Sequence, residues 1–210
     1  MAKKLFTGAG LIVILVVAVV SVRHIRGTAS LIQPPENVKV KGPQNAPAHL
    51  IVYSDFQCPA CKNAVAPIEE LRSQFLDGLQ IEFRYYPLER PHKWALTAAT
   101  FAQCAAEQNK FWELHDRLFE QQETWSKAEN PLPIFAGMVQ ELGINLQQFE
   151  SCLQNPNTIN QVRKEQALGA KQGVQSTPTI FINGQMLIGA LQLKEKGPGI
   201  IAEEIKKKRA

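Results

Sequence analysis

Along "LQIEFRYYPLE" apolar and polar residues alternate, with Leu79, Ile81, Phe83 and Tyr85 in phase, and this period of two predicts a strand with one buried face. The shorter run "HLIVYSD", β-branched and aromatic, predicts another strand just upstream. Between them "PACKNAVAPIEELRSQF" places Val65, Ile68, Leu71 and Phe75 at helical spacing, giving a strand, helix, strand unit. Five segments follow with apolar residues three and four apart: "PHKWALTAATFAQCAAEQ", "NKFWELHDRLFEQQ", "PIFAGMVQELG", "NLQQFESCLQ" and "NTINQVRKEQALGAKQG". Gly, Pro or Asn separates them, so the chain over about 91–173 reads as a helical block. "TPTIFING" then reads as a strand closed by an Asn-Gly turn, "QMLIGA" as its hairpin partner, and "GIIAEEIKKKR" as a final helix whose basic last turn suits the helix dipole.

The amino-terminal region has a different pattern. From Leu5 to Val22 there is no charge, and at about 1.5 Å per residue the run approaches the roughly 30 Å hydrocarbon thickness of a bilayer. It runs straight into Arg23, His24 and Arg26 without a small-residue cleavage site, so an uncleaved anchor over residues 1–26 is favoured over a removed signal segment. A tether rich in Pro, Asn and Gly follows over 27–41, with one short strand expected at Val38–Lys41, and a folded domain over 42–210. The expected architecture is therefore α/β, interrupted by an all-helical insert and preceded by a transmembrane anchor.

Length and charge narrow the function classes. A chain of 210 residues suffices for one ordinary domain plus a tail. The net charge of +4 owes much to "AKK", "RHIR" and "KKKR" near the ends, so it describes no basic central face and argues against nucleic acid as a partner. Lys3 and Lys4 nearly balance Arg23 and Arg26 across the apolar run, and the positive-inside comparison leaves orientation open. The four cysteines, an even number, favour an oxidising compartment for residues 27–210, hence a single-pass membrane protein with those residues in the periplasm or the extracellular space.

Two of those cysteines carry candidate chemistry. In "SDFQCPACKN" Cys58 ends a strand and Pro59 suits the first helical position, because its φ fits the helix and its missing N–H had no partner there. Cys58 is then the N-cap, facing the free N–H groups near Ala60 and Cys61 and the positive end of the helix dipole, both of which favour its thiolate. Cys61, one turn in, is placed to close a disulfide ring with it. Cys-x-x-Cys is also half of a zinc site, but Cys104 and Cys152 are isolated on separate helical segments, and His92 and His115 lie in helical context. Asp55 is the nearest carboxylate, with a proton relay to Cys61 and a turn or capping role both open. Phe111, Trp112, Leu114 and Leu118 read as core, His115 with them, and His92 as a residue that can line the site. Thr177–Pro178 opens a strand, where proline forfeits a ladder hydrogen bond.

"DFQCPAC", the insert with "CAAEQNKFWELHDRLF" and "FESCL", and "GVQSTPTIFING" together resemble the DsbA-like thioredoxin-fold thiol-disulfide oxidoreductases of bacterial envelopes, over roughly Gly42 to Lys208. The resemblance implies an exposed nucleophile at Cys58, a resolving thiol at Cys61, a cis-proline at Pro178 beside the disulfide, and a Thr177 backbone that binds extended substrate. It also raises the expectation of a structural disulfide between Cys104 and Cys152, the alternative being two buried thiols. No dissociable cofactor is implied; partners would be substrate proteins with cysteine thiols and a quinone-linked membrane protein. Two departures matter. Ala60 stands where the family's strongest oxidants carry His, and the strand before the motif lacks the buried acid common in thioredoxin-like relatives. The expected function is disulfide formation in client proteins, with reduction or isomerisation at the same site as the near alternative. A non-catalytic Cu(I) carrier using Cys58 and Cys61, with Met186 in the nearby hairpin, is the alternative from another class.

Overall fold

A computed structural model describes residues 39–209; the expected anchor over 1–26 and nearly all of the tether lie outside the described residues. Among the described residues no helix is long and apolar enough to cross a membrane.

The order is β1 (Val40–Lys41), β2 (Ala48–Ser54), α1 (Pro59–Gln74), β3 (Leu79–Tyr85), then the helical block α2 (Ala95–Ala106), α3 (Phe111–Glu120), α4 (Gln122–Trp125), α5 (Leu132–Glu141), α6 (Leu146–Gln154) and α7 (Pro156–Lys171), and finally β4 (Thr179–Ile182), β5 (Gln185–Ile188) and α8 (Gly189–Arg209). The strands form one sheet in the order β1-β3-β2-β4-β5. β2 and β3 run parallel, Leu50 opposite Ile81 and Val52 opposite Phe83, as two strands joined through a helix must. β4 lies antiparallel to β2 on its other side, and the hairpin turn uses Asn183 and Gly184, both at positive φ (45° and 87°), the conformation a two-residue type I′ turn demands.

The alternation in β3 sorts its two faces. Leu79, Ile81, Phe83 and Tyr85 are buried together with Leu50 and Val52 of β2, Leu71 of α1, Phe111 and Leu114 of α3, and Leu193 and Ile201 of α8. The opposite face, with Ile51, Tyr53 and Phe181, is where Tyr86 and Val174 pack. The Tyr53 and Tyr86 hydroxyls donate to Gln172 Oε1 (2.9 Å) and Val174 O (2.6 Å). The two rings close on Gly169 of α7, where an added Cβ would sit 2.8 Å from Tyr53 Cε1 and 2.9 Å from Tyr86 Cδ2. Alanine gains about 1 kcal/mol of helix propensity over glycine, but both rings are tethered at their far ends and an overpacked core costs about 1–3 kcal/mol. Gly169→Ala is therefore expected to destabilise the fold, read as a lower denaturant midpoint at unchanged slope.

The last helix begins ten residues before the segment the sequence pattern assigns to it, and runs through Pro198. "KGPG" reads as a breaker. Leu193 and Ile201, both fully buried, lie eight residues apart across it and so share one face, and Gly197 approaches Leu71 of α1 closely. Tertiary packing on both sides of the proline carries the helix across the hydrogen bond that Pro198 cannot donate.

Candidate active site

Residues 54–58 leave the end of β2 and enter α1, where Cys58 is the N-cap with extended backbone (φ −75°, ψ 121°) and Pro59 is the first helical residue. Cys58 and Cys61 are free thiols here. The Cys58 sulfur makes no capping hydrogen bond to the helix. It lies 3.5 Å from the Thr177 carbonyl oxygen, to which the thiol donates. Thr177 is joined to Pro178 by a cis peptide bond, and its contact with Cys58 brings the segment that opens β4 to the mouth of α1. The Thr177 hydroxyl is buried and has no hydrogen-bond partner among the described residues.

The two sulfurs have opposite electrostatics. The Cys58 pKa is lowered to about 5 by hydrogen bonding from the Cys61 thiol above all; burial opposes this, and the nearby polar groups of Thr177, Cys61 and Ala60 add smaller favourable contributions without forming a hydrogen bond of good geometry to the sulfur. The carbonyl of Thr177 can accept only from the protonated sulfur, so that contact does not favour the thiolate. Burial pushes the Cys61 thiol well above its ordinary value, and the negative charge of Cys58 pushes it further; the Ser54 hydroxyl and the Asp55 amide, whose nitrogen is 3.4 Å from Cys61 Sγ, work the other way.

The site is less open than the sequence reading has it: Cys58 is 7% exposed and Cys61 2%. The helical insert holds the loop that carries Cys58. Gln122 of α4 donates from Nε2 to the carbonyls of Phe56 (2.7 Å) and Cys58 (2.9 Å). Gln57 accepts from the Trp94 amide (2.7 Å) and donates to the Ser126 carbonyl (3.3 Å). The loop that presents Cys58 is thus held from both sides by elements more than thirty residues downstream. Neither glutamine carries a local sequence signal, since a lone Gln in a loop or a helical segment reads as a solvated position.

Asp55, 1% exposed, turns its carboxylate away from the cysteines: Oδ1 accepts from the Gln57 amide (2.8 Å), while Oδ2 accepts from the Leu88 amide (2.9 Å) and faces His92 Nδ1 at 2.7 Å. Of the two roles open for it, the geometry matches the turn-forming one, and His92 joins the site as the partner of that carboxylate. Cys104 and Cys152 are linked by a disulfide between α2 and α6, remote in sequence from the motif. Met186 is half-exposed on β5. Among the described residues no group of three His, Cys, Asp or Glu side chains converges on a metal position.

A cysteine pair at a helix mouth, facing a cis-proline on the neighbouring strand of a five-stranded mixed sheet, is the arrangement that comparison with known proteins bears on most directly. The family model described as thioredoxin matches residues 36–197. The chain belongs to the thioredoxin family. Solved structures give the DsbA-like form of its fold. BdbD from Bacillus subtilis superposes with a TM-score of 0.71 at 22% identity, covering 83% of this chain and 96% of that one. Alpha-DsbA1 from Wolbachia pipientis superposes with 0.67 at 18%, covering 84% and 95%. Coverage that wide takes in the helical insert as well as the sheet, so the insert is part of the shared fold. Among curated proteins, the Na(+)/H(+) antiporter NhaA 1 of Mycolicibacterium vanbaalenii is 31% identical over 166 residues. The chain spans about a quarter of the length of such antiporters, 25% in that case, while 78% of the chain is matched.

Proposed function

We propose that this thioredoxin-family domain is a protein thiol-disulfide oxidoreductase that works outside the cytoplasm, most directly as an oxidase that passes its Cys58–Cys61 disulfide to client proteins. The observation that carries the reading is the asymmetry of the pair: one sulfur ionises near pH 5, the other resists ionisation. A client thiolate attacks Cys58 Sγ of the oxidised pair, the Cys58–Cys61 bond breaks, and Cys61 leaves with the electron pair and takes up a proton. The client's second thiolate then attacks its own sulfur in the mixed disulfide, and Cys58 departs as a thiolate. A leaving thiol of low pKa leaves faster, which favours the second step, in which Cys58 departs, and a stabilised thiolate stabilises the reduced enzyme, so the pair favours oxidation of the client.

Thr177 and Pro178 bind the client. The Thr177 N–H has no hydrogen-bond partner among the described residues, which leaves it free for an extended peptide laid beside Cys58. Pro59 and Ala60 shape the helix mouth, and Asp55 fixes the loop. Cys104 and Cys152 brace the insert. The two electrons gained leave through a quinone-linked membrane partner, and residues 1–26 hold the domain at the membrane.

Equilibrium with glutathione tests the direction. A potential near about −120 mV marks an oxidase, and one near about −270 mV, the thioredoxin value, marks the same site as a reductase. With Ala60 in place of a cationic neighbour, the expected value lies between these limits and nearer the first.

A further inference from the structure

Every turn of the proposed cycle moves a proton on or off Cys61, the more buried sulfur, and Asp55, the nearest acid in sequence, is committed to Gln57, Leu88 and His92. Another route is built behind Cys61. A cavity of about 20 Å³ lies between α1, β2, β3 and α3, lined by Cys61, Ser54, Phe83, Glu69, Trp112 and His115. That is room for one water, which needs roughly 10–15 Å³ and two or more polar partners. Trp112 offers one, since its indole N–H is buried without an acceptor among the described residues. His115 offers another: it lines the cavity, and its Nδ1 is 2.7 Å from Asp116 Oδ1, which leaves Nε2 as the ring nitrogen able to accept from the water.

We propose that His115 takes the proton of Cys61 when that thiol attacks a mixed disulfide at Cys58, through one water held in this cavity, with the Ser54 hydroxyl holding the sulfur. The inference rests on the oxidoreductase reading above. The Cys61 S–H proton passes to the water and a water proton to His115 Nε2. The Cys61 electron pair forms the bond to Cys58 Sγ, and the bond from Cys58 to the client breaks, its pair leaving on the client sulfur. In the reverse step the imidazolium returns the proton to the departing Cys61.

The surroundings suit a base. The ring sits among Phe56, Phe83, Phe111, Trp112 and Phe119, with centroids 5.0–5.8 Å away. Burial holds its pKa below the ordinary histidine value, with Asp116 opposing, so the ring is neutral and able to accept at pH 7. The charged groups facing it are Asp116 on its own helix, Lys41 of β1 and Glu69 of α1. Lys41 and Glu69 pair at 2.7 Å and so largely cancel, leaving the half-exposed Asp116 carboxylate to steady the imidazolium and lead its proton to solvent.

The test mixes reduced protein with an aromatic disulfide reagent and follows release of nitrothiobenzoate between pH 5 and 9. The first release is attack by Cys58; the second is attack by Cys61 on the mixed disulfide. Absence of a second release in the natural protein overturns the oxidoreductase reading itself. Given that release, its rate is expected to flatten above the histidine titration, and in His115→Gln to fall about 100-fold at pH 7 and climb tenfold per pH unit instead, since a positioned base supplies about 10²–10⁴. The first release is the internal reference. A His115→Gln rate within threefold of the natural protein, with the same pH profile, overturns the inference. Should that variant fail to fold, the natural protein decides alone: a second release that climbs tenfold per pH unit throughout overturns it.

Discussion

Cys61→Ser is expected to trap clients on Cys58. On the proposed mechanism the mixed disulfide of the natural protein is short-lived, since Cys61 sits one helical turn away and intramolecular attack of this kind is worth effective molarities of about 10⁵ M or more. Serine fills the same space and keeps a hydroxyl donor toward Cys58, so the thiolate forms and attacks a client disulfide as before. The alcohol cannot displace sulfur, and the adduct persists. On a non-reducing gel it should appear as a stable conjugate of protein and client, with turnover at least about a thousandfold down. Cys58→Ser should give neither conjugate nor turnover. Cys61→Ala separates the two duties of Cys61: it too cannot resolve, but it removes the largest contribution to the low Cys58 pKa, so the attack itself slows at pH 6. A conjugate that forms on Cys61 in Cys58→Ser, and not on Cys58, would reverse the assignment of roles.

The second large effect is on stability. Cys104 and Cys152 are 48 residues apart, and the loop their bond closes takes in α3, α4 and α5, the elements that carry Gln122 and the wall behind Cys61. In the chain-entropy model a loop of that length is worth about 4 kcal/mol. Against a total stability of about 5–15 kcal/mol this is a large fraction, so Cys104→Ala with Cys152→Ala should lower the denaturant midpoint markedly. Both sulfurs are buried, so part of the loss is the cavity left behind, and a double serine variant should be worse, because its hydroxyls enter an apolar site. The comparison belongs in the Cys58–Cys61 reduced state for both proteins. An unchanged midpoint would mean that the disulfide braces nothing.

Much of this site could be read from the sequence because its logic is local. The alternation of β3, the Asn183–Gly184 turn and the placing of Cys58 before Pro59 each depend on neighbours in the chain, and the structure has all three. What escaped depends on residues far apart. Gln122 reaches the Phe56 and Cys58 carbonyls across more than sixty residues, and no spacing rule announces it. The start of α8 was hidden because a Gly-Pro-Gly stretch outweighs a buried face that only the finished core supplies. His115 read as one more core position on an apolar helix face, which it is; only the packed fold puts a cavity and a cysteine on its other side. Asp55 lies between these cases: the sequence leaves a relay and a turn role both open, and the oxygens are taken up by the Gln57 and Leu88 amides of the loop.

The central claim is that Cys58 is a thiolate at physiological pH because of where the fold holds it. Thiolate absorbance near 240 nm, followed against pH in the reduced protein with Cys58→Ser as the blank, measures it directly. The sign is fixed by the lowered value: the folded reduced form gains stability over the unfolded chain as pH rises from about 5 towards the ordinary cysteine range of about 8.5, and loses it as pH falls through 5. A midpoint near 5 is the predicted result; a single transition at 8.5 or above, as in a free thiol, would contradict it.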